Sequence, residues 1–127
     1  MISNFELRDH IRDQLIAKAV TDEVIEEAKD SLLDIVNDLG LTEKDIPSPL
    51  PYKVRRYLVA WICNEVCMNM ARTYNGAMTH GGDVKDVWAD KKRMWEQELE
   101  RNRGSLTTSV FTGAEKVRYG TVSIYRG

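Results

Sequence analysis

Three prolines fall within five residues in "IPSPLPYK" (Pro47, Pro49 and Pro51), and from Tyr52 to Tyr74 the chain then meets neither proline nor glycine. Proline lacks an N–H and clashes with the preceding turn, so no helix interior holds this cluster, although the first turn of a helix does. The spacing predicts a helix that starts near Pro49 or Pro51, runs to about Tyr74 and is closed by Asn75-Gly76. Val54, Leu58, Trp61, Ile62, Val66, Met70 and Ala71 take one broad side of it, with Val59, Cys63 and Cys67 beside them. A helix apolar around most of its circumference belongs at the centre, enclosed by others.

Three further helices supply that enclosure. In "ISNFEL" Ser3 is a cap with Glu6 three residues on, and Ile2 is placed to staple onto Leu7. Leu7, Ile11 and Leu15 then recur every four residues, which predicts one helix to about Ala19. Thr21 caps the next, and Asp22 and Glu23 put negative charge at the positive end of its dipole. Val24, Ala28, Leu32, Ile35 and Leu39 carry its apolar stripe to Gly40, a left-handed stop that folds Leu41 back onto Val36. After "YNGAMTHGGD", which reads as an exposed, mobile loop, Asp83 caps a fourth helix with Val84, Trp88, Trp95 and Leu99 on its apolar side. Gly104 ends it.

From Ser105 the residues lose helical periodicity and hold too few large apolar side chains for a separate core. Val117 to Tyr119 and Val122 to Tyr125 suit strands around Gly120, and a lone hairpin of that size is marginal in water. The expected architecture is all-α: a small bundle of about four helices over 1–104 with a long central helix, plus an extended arm over 105–127 that ends in a short strand or hairpin. The arm is expected to order on a partner through Val110, Phe111, Arg118, Tyr119, Val122, Ile124, Tyr125 and Arg126.

Charge narrows the functional classes. Eighteen basic against 20 acidic residues exert no global pull towards nucleic acid or an anionic membrane. The longest apolar run, Tyr57 to Cys63, is far shorter than a bilayer-spanning helix, and "MISNFELRDH" has no leader pattern, so a soluble cytosolic product is expected. Locally the charges separate. The second helix carries Glu23, Glu26, Glu27, Asp30, Asp34 and Asp38 with Lys29 as its only base, whereas Lys53, Arg55 and Arg56 open the third and Lys116, Arg118 and Arg126 mark the arm. Glu23, Glu27, Asp30, Asp34, Lys53, Arg55 and Arg56 are therefore candidates for contacts between copies.

Chemistry is sparse. Cys63 and Cys67 share a helix face but lack the ligand set of a structural zinc site, and they read as buried small residues. His80 beside two glycines matches no phosphate loop or metal pair. No catalytic residue, metal or cofactor is expected.

The layout as a whole resembles the small helical head–tail connector (adaptor, head-completion) proteins of tailed bacteriophages. The likeness lies in the acidic helix "TDEVIEEAKDSLLDIVNDLG", the proline-led "IPSPLPYKVRRYLVAWICNEV", the glycine loop, the charged "DVWADKKRMWEQELERNRGSL" and the closing "VSIYRG". The resemblance implies a virion protein of the phage neck, made in the bacterial host cytoplasm and assembled as a ring, commonly of twelve. It implies contacts with the portal and with the tail or next neck protein, DNA passing through without sequence-specific binding, and no membrane. Two rivals remain: a helical DNA-binding packaging protein similar to small terminases, using Lys53, Arg55 and Arg56 on phosphates, and a small enzyme or metal protein built on Cys63, Cys67 and His80.

Overall fold

The computed structural model describes residues 2–76 and 82–112, and among these every regular element is helical. The order is α1 (Asn4–Asp9), α2 (Gln14–Ala19), α3 (Asp22–Asp38), a single 3-10 turn (Glu43–Asp45), α4 (Tyr52–Gly76), α5 (Gly82–Gly104) and α6 (Thr108–Thr112). The expected hairpin, the side chains from Arg118 to Arg126 and His80 lie outside the described residues.

Helix α4 is the centre, as its composition requires. Val54, Tyr57, Leu58, Ala60, Ile62, Cys63, Val66 and Cys67 are all buried, and they point to several sides of the helix. Pro51 stands just before it as a cap, its carbonyl accepting from the Arg55 N–H at 3.0 Å, rather than inside the first turn. Helix α5 returns antiparallel along α4 in the most extensive pairing of the fold, while α1, α2 and α3 pack on α4 as well. The phenol of Tyr57 has no exposed surface and shares a hydrogen bond with the Ser31 hydroxyl on α3, which satisfies its buried oxygen.

Helix α3 begins and ends as its sequence dictates. The Thr21 hydroxyl accepts from the Val24 N–H at 3.2 Å. At the other end Gly40 takes φ of 80°, Leu41 N–H bonds to the Val36 carbonyl at 3.0 Å and Gly40 N–H to the Asn37 carbonyl at 3.0 Å, the paired closure that a left-handed glycine permits.

The first helix departs from expectation. It breaks after Asp9, because Asp13 turns its carboxylate onto the N–H groups of Leu15 (3.0 Å) and Ile16 (3.3 Å) and also pairs with Lys91 on α5. A short polar side chain that bonds the backbone ahead of it ends one helix and starts another. The register shifts by one: Ile16 is fully buried and Leu15 is 51% exposed, reversing the role the four-residue spacing predicted for Leu15. Helix α1 is tied down separately, by Arg8 to Asp22 at 3.0 Å and by Lys29 donating to Asn4 at 2.7 Å.

The end of the body also moves. Past Gly104 the chain turns through Ser105 and enters α6, burying Leu106 and Phe111 in the same core. Val110 is half-buried against that core. An extended arm therefore cannot begin at Ser105, and Phe111, taken from the sequence as a partner anchor, is a core residue at 3% exposure. The short helix escaped periodicity because it is 5 residues long and shows the core one large side chain.

Candidate assembly surfaces

Two surfaces of opposite charge stand out, and each is set by the geometry of a helix. On α3 the buried residues Ile25, Ala28, Leu32 and Val36 define the inner side. At about 100° of turn per residue, Glu23, Glu27, Asp30 and Asp34 stack along the opposite side, and all of them are exposed. Asp38 extends the row. Lys29 pairs with Glu26 at 3.5 Å and reaches none of these, so no cation within the described residues meets Glu23, Glu27, Asp30 or Asp34. The upper end of the row borders a shallow recess of about 290 Å³ in which Glu23 and Glu27 stand over Val24, Val66 and Met70.

The basic surface is a groove of about 580 Å³ between α5, the first turns of α4 and the break between α1 and α2. His10, Arg12, Arg55 and Arg56 line it, together with Tyr52, Met94 and Trp95. The guanidinium carbons of Arg55 and Arg56 lie 5.4 and 5.6 Å from the Tyr52 ring centre, cations over an aromatic face. Glu98 neutralises part of this charge: it holds Arg56 at 3.4 Å and Arg101 at 2.6 Å. Arg12 and Arg55 are left without a carboxylate among the described residues. Tyr52 and Met94 are 60% and 49% exposed, so apolar surface flanks the free guanidiniums. The Trp95 indole N–H is buried beneath and finds no acceptor among the described residues.

Of the basic candidates at the start of α4, Arg55 and Arg56 line the groove and Lys53 is exposed outside its lining. The sequence missed His10, Arg12, Met94 and Glu98. Arg12 and His10 come to the start of α4 only because the first helix breaks, and the one signal for that break was Asp13 itself, a cap residue in mid-pattern. Val110 and Phe111 lie with the core, and the remaining arm candidates are outside the described residues.

Elsewhere the chemistry is quiet. Burial pushes the Cys63 thiol up to about 12, aided by Cys67 and Asp13, and the Cys67 thiol up to about 11 against the opposing pull of Lys91. Both are neutral thiols at physiological pH and poor nucleophiles. No cluster of three or more His, Cys, Asp or Glu residues with metal-binding geometry occurs among the described residues. Among them, too, no helix is long and apolar enough to cross a membrane. Compared with protein-family models, with curated proteins and with solved structures, the chain matches none.

Proposed function

We propose that this chain is a structural subunit that assembles head to tail into a ring, in the manner of the connector at the neck of a tailed bacteriophage. There the ring would join the portal to the tail or next neck protein and continue the DNA channel. The observation that carries this reading is the outer side of α3. Glu23 and Glu27, Glu26 and Asp30, Asp30 and Asp34, and Asp34 and Asp38 are like charges four residues apart on one helix. Such pairs destabilise a helix by about 0.2–0.5 kcal/mol each. Asp34 and Asp38 also sit towards the negative end of the helix dipole, with no basic residue in the last turn. Apart from Glu23, which faces the positive end of the helix dipole, the row finds no cation among the described residues of its own chain, which supports a role outside the monomer.

The groove of Arg12, Arg55 and Arg56 supports the same reading, because two different charged surfaces on one molecule make a heterologous contact, and such contacts close into rings when the rotation permits. Native mass spectrometry of the full chain at high concentration tests it. A closed ring of about twelve copies is expected. A chain that stays monomeric throughout, or a small oligomer that retards duplex DNA with steep salt dependence, would overturn it, the latter in favour of a packaging protein similar to small terminases.

A further inference from the structure

Every copy of this chain carries an acidic row that meets no cation, and a groove whose Arg12 and Arg55 meet no carboxylate, among the described residues. These two facts belong together. We infer that the groove between α5 and the start of α4 receives the outer side of α3 from a second copy, with Arg12 and Arg55 meeting the carboxylates around Glu27 and Asp30. The inference rests on the head-to-tail reading and names the two surfaces that make the contact.

Three observations favour a second copy over nucleic acid as the occupant. Glu98 stands inside the groove, and a phosphate backbone following the groove would meet this carboxylate beside the arginines. The acidic row on the same molecule adds repulsion for a polyanion, whereas it supplies a partner for the groove. The apolar flank also suits a protein: Tyr52 and Met94, both well exposed, lie against the cations and would exclude water from ion pairs formed there, which strengthens them. A helix is about 10–12 Å across with its side chains, too thick to sink into a groove of about 580 Å³, so α3 would lie on the rim with its carboxylates dipping inward.

A charge-reversal cycle tests the pairing by sedimentation velocity. One variant carries Arg12→Glu and Arg55→Glu, leaving groove and row both negative; the other carries Glu27→Arg and Asp30→Arg, so that the two row positions meeting the groove carry the same positive charge as Arg12 and Arg55. Glu27, Asp30 and Arg12 are exposed and Arg55 half-buried, so both variants should keep the parent's helical circular dichroism. Each alone should self-associate at least about tenfold more weakly than the parent, and an equimolar mixture should recover mixed oligomers, since each now carries what the other needs. A single chain with all four reversals should also self-associate. Variants that assemble like the parent, or a mixture that stays monomeric, would overturn the pairing while leaving assembly by another surface standing. A parent chain that never associates would sink both readings, and loss of binding to duplex DNA in the Arg12→Glu, Arg55→Glu variant without change in assembly would assign the groove to nucleic acid.

Discussion

Helices α3 and α4 pack against each other, yet folding uses them differently. Along α4 the buried residues include neighbours in sequence, such as Tyr57 with Leu58, Ile62 with Cys63 and Val66 with Cys67, so more than one side of the helix is committed to the core. Along α3 they keep to one row, Ile25, Ala28, Leu32 and Val36, and the opposite side is charged and meets no cation among the described residues. The central helix packs against neighbours on several sides, and substitutions among its buried residues should be felt as stability. The outer helix needs only its inner row. What its other side carries is free to serve a partner, and like charges held there against their mutual repulsion point to that use.

The sharpest test of where the core stops is a pair of truncations. A chain ending at Gly104 loses the burial of Leu106 and Phe111 and should be less stable than a chain ending at Thr112 by about 3–6 kcal/mol, at roughly 1.5–3 kcal/mol for each large side chain. Equal melting of the two would remove α6 from the core. Within α4, Leu58→Ala should lower the unfolding free energy in urea by about 2–5 kcal/mol, because Leu58 has no exposed surface and its cavity would be enclosed. A much smaller loss would mean that α4 is not packed all round.

Asp13 sets the break between α1 and α2 that shapes the groove. Burial alone would raise its carboxyl, but the hydrogen bond and charge of Lys91 and the N–H groups of Ile16 and Leu15 outweigh this and hold it below its ordinary 3.8. A lowered acid stabilises the fold fully above that ordinary value, and its contribution is lost as pH falls through the lower folded value. Asp13→Ala should therefore cost about 1–3 kcal/mol near neutral pH, from the lost cap and the lost ion pair, and the deficit should shrink in acid. A deficit that stays constant down to low pH would assign the effect to packing instead.

The smallest expected change in stability separates α3 from α4 most clearly. Glu27→Gln with Asp30→Asn removes three like-charge pairs (Glu23 with Glu27, Glu26 with Asp30, Asp30 with Asp34), so at about 0.2–0.5 kcal/mol per pair the monomer should gain about 0.6–1.5 kcal/mol. Thermal melting at low salt measures it. Marked destabilisation would mean that the row serves the fold after all.

How much of this the sequence could disclose follows from the length of each signal. Helices α3, α4 and α5 are 17, 25 and 23 residues long, and repeated apolar spacing together with Thr21, Gly40 and the prolines located them closely. Helices α1, α2 and α6 have 6, 6 and 5 residues, too few for a period to repeat, so one capping aspartate was enough to split an expected helix and one phenylalanine to hide another. The acidic row was legible because it lies on a single helix. The groove was only half legible, because Arg55 and Arg56 are adjacent in sequence whereas Arg12, Met94 and Glu98 reach them only through tertiary packing.

The measurement that bears most directly on the account is sedimentation velocity of the full chain beside its Glu27→Gln, Asp30→Asn variant, at high concentration and at two salt levels. The account predicts a large oligomer for the parent at low salt, weakened as salt screens the contact, and a monomer for the variant with its fold intact. A variant that assembles to the same size as the parent would contradict it, as would a parent that remains monomeric under every condition.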